Sequence, residues 1–172
     1  VAIFNLKKMN ALYAAPIDGF PDRKEQVGEE VSKGIEFDVA GFITPNWSII
    51  ANYSYNDAKI TKTKDGKERD FGMQRPNTPR HSGNLWTKYI IGKGIVKGLG
   101  FGAGYNFVTE RYGQVAKRSF PITYPSYGIV DVALYYKVQN IQLQDNLINV
   151  FNKFNWVGGF YKLRSFPGAP RN

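Results

Sequence analysis

Few side chains in this sequence could make or break a bond. His81 is the only histidine among 172 residues and cysteine is absent, so thiolate metal sites and Cys–His nucleophilic catalysis are excluded. No spaced set of carboxylates accompanies His81, and its place just after Pro79-Arg80 reads as the polar start of a strand, not as a metal ligand or general base. The alternate glycines Gly98, Gly100, Gly102 and Gly104 have the look of a phosphate-cradling loop, but that motif must leave a strand and open a helix. Here Tyr105-Asn106-Phe107-Val108 goes on alternating, so all four glycines are expected on one strand face, where a missing side chain lets the strand coil or another element approach. Asp65-Gly66, inside the charged run 62–70, reads as a tight turn; a calcium loop would need more oxygen ligands at regular spacing. What remains is binding chemistry. Aromatic residues make up 15% of the chain and 23 basic residues outnumber 14 acidic ones, for a net charge of +9. Basic loops interleaved with rings can hold single-stranded nucleic acid or anionic ligands. The basic residues are scattered over every loop and turn and build no single stripe, so nucleic acid is not expected as a partner.

The elements that carry these residues are strands. Alternation of apolar and polar side chains marks seven segments, roughly 1–12, 26–42, 47–61, 80–91, 99–112, 126–138 and 141–154. In the third, Trp47, Ile49, Ala51, Tyr53 and Tyr55 fall on one face, against Ser48, Asn52, Ser54 and Asn56, with only Ile50 out of place. In the sixth, Val130, Val132, Leu134, Tyr136 and Val138 oppose Asp131, Ala133, Tyr135 and Lys137. The connectors are short at 45–46, 92–98 and 139–140 and long at 13–25, 62–79, 113–125 and 155–168. Strands longer than about ten residues, aromatic at their ends, exceed what a soluble sheet needs and suffice to cross a bilayer at a steep tilt. Short turns on one side and long loops on the other predict an all-β, antiparallel, up-and-down transmembrane β-barrel.

Composition agrees. With 42% apolar residues and 18 glycines there is no apolar run long enough for a helical span, whereas a barrel hides its hydrophobicity in every second residue. Val1-Ala2-Ile3-Phe4 begins directly in strand with no secretion signal, and an open sheet in lipid would leave backbone groups unpaired. The expectation is therefore one partial barrel domain over 1–172, part of a larger barrel.

Ordered strings then identify a family. Ser32-Lys33-Gly34-Ile35-Glu36, Thr44-Pro45-Asn46-Trp47 and Ala51-Asn52-Tyr53-Ser54-Tyr55 resemble a recurrent sequence in the C-terminal barrel of TonB-dependent siderophore receptors of the bacterial outer membrane. Asn77, Pro79, Arg80 and His81 resemble that family's "N-x-P-R-H". Glu110-Arg111-Tyr112-Gly113, Tyr127 with Asp131, and Pro167 to Arg171 resemble its "E-R-Y-G", "Y-x-x-x-D" and "P-G-A-P-R". The likeness covers nearly the whole chain and implies roughly strands 15 to 21 of a barrel of about 22, with the plug domain, the last strand and the TonB-contacting segment lying outside it. One departure is Asp145, which shares parity with Ile141, Leu143 and Leu147 and so sets a carboxylate on the lipid side.

The resemblance implies active, TonB-coupled uptake of a ferric siderophore, a transported ligand and not an intrinsic cofactor. It implies no enzyme activity and no resident metal. Expected partners are outer-membrane lipid, lipopolysaccharide, the chelate, and the TonB complex through the N-terminal region. The alternative is a non-transporting outer-membrane barrel serving as a binding or structural subunit of a larger assembly. Ferric siderophores are compact, partly apolar and often anionic, so their vestibule should offer rings beside cations. Arg111, Tyr112 and Tyr124 around the fifth strand's loop, and Trp156, Phe160, Tyr161 and Arg164 after the seventh strand, are the candidates. The long connectors are expected outside the cell, the short turns in the periplasm, and girdle residues among Tyr53, Tyr55, Trp86, Tyr89, Tyr105, Tyr112, Tyr135 and Tyr136.

Overall fold

Period-two sorting of Val, Ile, Tyr, Phe and Thr against Ser, Asn and Asp is compatible only with extended backbone. The computed structural model describes residues 1–14, 24–63, 71–113, 122–159 and 165–172, and every regular element in them is a strand. Seven form one antiparallel sheet: β1 (Ala2–Ala14), β2 (Lys24–Thr44), β3 (Trp47–Lys62), β4 (His81–Ile90), β5 (Leu99–Val108), β8 (Tyr127–Val138) and β9 (Ile141–Leu147). Each is paired to its predecessor in that order, so the three short turns lie at one end of the sheet and the long connectors at the other. At the long-connector end the β5–β8 hairpin continues as a small ladder of β6 (Arg111–Tyr112) and β7 (Thr123–Tyr124), and another joins β10 (Trp156–Gly159) to β11 (Ser165–Pro167).

Three boundaries differ from the sequence reading. The fifth strand pauses at Thr109-Glu110 before resuming as β6. Within the 62–79 connector, the described part runs beside the upper half of β3, with the Arg75 N–H donating to Ala58 O (2.8 Å) and Gly72 N–H to Ile60 O (2.8 Å). The seventh strand stops at Leu147, seven residues short of the expected 154, because Asn149 enters the left-handed region (φ 53°) and Asn152 repeats it (φ 48°). Asparagine tolerates that region where β-branched residues do not. The turn is held by the Asn149 side chain: Nδ2 donates to Lys153 O (3.0 Å) and Ala169 O (3.2 Å), and Oδ1 accepts from Lys153 N–H (2.8 Å). Asp131 on β8 accepts the Asn149 backbone N–H at 2.8 Å. Asn172 then returns beside Ile148, exchanging backbone hydrogen bonds of 2.8 and 3.3 Å.

The two faces are as unlike as the alternation requires. On one, register aligns Val39, Ala51, Leu85, Tyr105 and Val130 in a single row, with Phe37, Tyr53 and Phe107 in the next. These side chains are uncovered: Phe37 is 45% exposed, Leu85 40%, Phe101 50% and Leu134 47%. A water-soluble sheet would bury such a face on a core, whereas hydrocarbon solvates it. Asp145 keeps the expected register opposite Leu134, in the row that also carries Trp47, Tyr89 and Phe101. Amphipathic rings of that row suit the membrane interface, where a carboxylate can stay hydrated.

The opposite face is polar. Asn84 donates through its amide to Asn106 Oδ1, and Asn106 donates to Asp131 Oδ2 at 3.1 Å, so one hydrogen-bonded line crosses three strands. It borders a groove of about 470 Å³ that Asn149, Asn155 and Ala169 also line. Lower on this face the glycines of β5 make room for rings: a Cβ on Gly104 would stand 2.4 Å from the Trp86 ring, and one on Gly102 would stand 2.7 Å from it and 3.0 Å from Tyr135. Lys88 Nζ sits 4.0 Å over the Tyr135 ring. Trp86 and Tyr135 therefore belong to the polar face and not to a lipid-facing girdle, while Tyr53, Tyr55, Tyr89, Tyr105 and Tyr136 take the apolar one. Gly98 is not part of the strand face; it occupies the preceding turn at φ +91°.

Candidate functional site

Three of the expected ligand-binding residues meet where the two small hairpins touch. Arg111 leaves β5's extension pointing at β10, and its Nη2 donates to the carbonyls of Trp156 and Val157, the latter at 2.7 Å. Its guanidinium lies 5.5 Å from the Tyr124 ring centre and 5.7 Å from that of Tyr127. Arg111 is 4% exposed, and among the described residues Nη1 has no hydrogen-bond acceptor, while the rings' π faces complement its charge. Tyr124 is 3% exposed, with its hydroxyl on Ser165 Oγ at 2.9 Å. Trp156 packs between Tyr124, at 6.2 Å between centroids, and the edge-on ring of Phe154 at 5.0 Å.

In this conformation Arg111 and Tyr124 are interior side chains of the hairpin pair. Tyr112 and Trp156 keep part of their surface, and Val157 is 59% exposed beside them. Phe160, Tyr161 and Arg164 lie outside the described residues, as do Lys162 and the Asp65-Gly66 turn. His81 opens β4, as the sequence suggests, its Nδ1 sharing a 2.7 Å hydrogen bond with the Tyr53 hydroxyl. Among the described residues no group of three His, Asp or Glu side chains could hold a metal ion.

One residue that the sequence reading left within a motif proves central to the site. Asn77, at φ 57°, donates its backbone N–H to Tyr112 O (2.6 Å) on one hairpin. Its side chain donates Nδ2 to Gly159 O (2.7 Å) and accepts Gly159 N–H on Oδ1 (3.2 Å) on the other. An asparagine two residues before Pro79 is the signal the sequence offers, since asparagine tolerates a left-handed turn and carries a second amide with which to bond.

The comparisons with known proteins agree with this architecture. Residues 1–152 match the family model described as TonB dependent receptor-like, beta-barrel. The metal-pseudopaline receptor CntO of Pseudomonas aeruginosa is 33% identical over 173 residues, covering 100% of this chain and 23% of CntO. The probable TonB-dependent siderophore receptor PiuA of Acinetobacter baumannii is 35% identical over 161 residues, covering 88% of this chain and 20% of PiuA. The crystal structure of PiuA superposes with a TM-score of 0.81 at 29% identity, over 98% of this chain and 24% of that one. The ferric-catecholate import receptor Fiu of Escherichia coli, in its closed form, gives 0.77 at 26% identity over 98% of this chain and 23% of its own. The chain thus spans between a fifth and a quarter of the length of these relatives. It belongs to the TonB-dependent receptor-like β-barrel family, outer-membrane proteins of Gram-negative bacteria, and forms part of such a barrel's wall.

Proposed function

We propose that the protein containing this wall is a receptor that binds a ferric siderophore at the long-connector end of the barrel and imports it with energy from the TonB complex. The observation that carries this reading is the hairpin pair itself: rings and a guanidinium packed at the long-connector end of the sheet, with Tyr112 and Trp156 partly uncovered. In this reading Tyr112 and Trp156 offer contact surface to the chelate, and Phe160, Tyr161 and Arg164 are further candidates from the sequence. Arg111 and Tyr124 brace it from beneath. No covalent bond changes; the family's plug, pulled by TonB, opens the path along the polar face. Iron-limited cells carrying the intact receptor should accumulate labelled ferric siderophore only when TonB is also present. Binding without TonB-dependent accumulation would replace this reading with a non-transporting barrel.

The lipid partners are proposed on the apolar face. Beyond the row of Ile3, Ile35, Tyr55 and His81 come Asn5, Lys33 and Asp57, then Lys7 and Lys59. Lys7 pairs with Glu29 and Lys59 with Asp57, each at 2.7 Å, while Lys33 is exposed. Lysines within two rows beyond Tyr55 suit headgroup level, where lipopolysaccharide phosphates are available. The triple variant Lys7→Gln, Lys33→Gln and Lys59→Gln should lose co-purifying lipopolysaccharide; retention at the wild-type ratio would remove this site.

A further inference from the structure

We infer that Asn77 and Arg111 are positioning residues that lock three separate connectors into one rigid cap, so that contact surface offered by any one of them is fixed by the other two. The inference starts from the distance in sequence between the partners. Asn77 and Gly159 are 82 residues apart, yet the asparagine amide satisfies both backbone groups of Gly159 as a neighbouring strand would. The same residue's N–H is held by Tyr112 O at 2.6 Å. Asn77 therefore closes a bridge from the 71–80 segment to both hairpins. Arg111 supplies the remaining side of the triangle, from β6 to the Trp156 and Val157 carbonyls of β10.

Each tie sits where replacement is difficult. Gly158 and Gly159 are buried, and a Cβ on Gly158 would lie 3.1 Å from Asn77 Oδ1, a contact tight enough that the amide would have to shift by a few tenths of an ångström. Among the described residues the β10–β11 ladder pairs three positions, Trp156 with Pro167, Gly158 with Phe166 and Gly159 with Ser165, and so short a ladder has little cooperativity of its own. Contacts from outside hold it: among the described residues Asn77 and Arg111 bond its backbone and Tyr124 bonds the Ser165 side chain. As a consequence the partly exposed edge of Trp156 is set by residues that do not touch the ligand surface.

The experiment is hydrogen–deuterium exchange on the intact receptor in detergent, wild type against Asn77→Gly and Arg111→Gln. Glycine keeps the left-handed backbone at position 77, so only the side-chain ties are removed. Exchange in 156–159 should quicken roughly tenfold or more in both variants, the size expected from losing two hydrogen bonds. The decisive readout is the remote one: Asn77→Gly should also quicken 111–113, and Arg111→Gln should also quicken 71–78, with the β3–β4 ladder unchanged. Quickening confined to each substituted residue's own segment and to 156–159, the strand that both side chains hold, would overturn the inference. Adding a ferric tris-catecholate as probe to a receptor that binds it should slow 71–78, 111–113 and 156–159 together; protection of one segment alone would also overturn it. The role of the cap in ligand contact rests on the proposed function. Failure of the wild type to bind any ferric chelate would count against that reading, while the exchange pattern of the unliganded variants would still decide whether the cap is one unit.

Discussion

Replacing Asn149 separates two contributions that the structure places on one residue. The side chain is 2% exposed and makes three hydrogen bonds, to Lys153 O, Ala169 O and Lys153 N–H. At roughly 0.5–1.5 kcal/mol each, and with Lys153 open to water so that its freed groups are partly rehydrated, their loss amounts to about 2–3 kcal/mol. The backbone at φ 53° adds about 1 kcal/mol for a residue with a Cβ that cannot bond locally. Asn149→Ala should therefore loosen the 148–155 turn by about 3–4 kcal/mol, and Asn149→Gly, which escapes the backbone term, by about 2–3. Local opening energies of this size appear as a fall in amide protection of roughly a hundredfold to a thousandfold for alanine. Hydrogen exchange of the 148–155 segment in the intact receptor is the assay, since large barrels need not unfold in two states. If the strand instead continued to 154, Asn149 would be a surface residue and both substitutions would stay within threefold of wild type. Alanine no worse than glycine would refute the left-handed backbone.

Further expected outcomes test the other levels of the argument. Lys67 should be labelled in intact cells and Lys93 and Lys97 only after the outer membrane is breached; the reverse pattern would invert the topology. Gly104→Val drives a side chain into the Trp86 ring, 2.4 Å from where its Cβ must stand, so indole emission should shift toward that of a water-exposed ring; an unchanged spectrum would remove Trp86 from the β5 trough. Hydrogen bonds from Lys7 and then Thr61 hold the Glu29 carboxyl below the usual glutamate range, so its stabilising contribution is present above the ordinary carboxylate value of the unfolded chain and lost as pH falls through the lower folded value. Amide protection at the long-connector end of β1–β2, corrected for the intrinsic pH dependence of exchange, should fall on acidification in wild type but not in Glu29→Gln. Trp156→Ala should weaken ferric siderophore binding about tenfold with the barrel folded, as should Phe160→Ala and Tyr161→Ala; unchanged affinity in all three would place the ligand on other parts of the receptor.

The wall was legible because its chemistry repeats every two residues. Alternation set Ala51 and Val130 on one face and Asn52 and Asp131 on the other, and the register keeps that division, while the short and long connectors gave the strand order. Where one residue departs from extended backbone the rule gives no warning: Val150, Phe151 and Phe154 look like more strand, and only Asn149 and Asn152 carry the signal of a turn. Trp86 shows the same limit for faces, since a ring belongs equally to an interface and to a glycine trough until its neighbours across the ladder are known, whereas alternation already set Tyr135 on the polar face.

The site was harder for a different reason. Arg111 and Tyr124 were found as types, a cation and a ring, but their use is decided by partners 45 and 41 residues away. No local pattern encodes that a guanidinium will be spent on two carbonyls of a distant hairpin. A barrel wall is specified by near neighbours, each strand reading the one before it, and tolerates change wherever the period is kept. Its cap is specified by a few long-range ties on segments with little ladder of their own. Such a division lets connectors of related receptors diverge over a common wall, because substituting a cap residue alters which surface is presented without disturbing the pairing that holds the sheet.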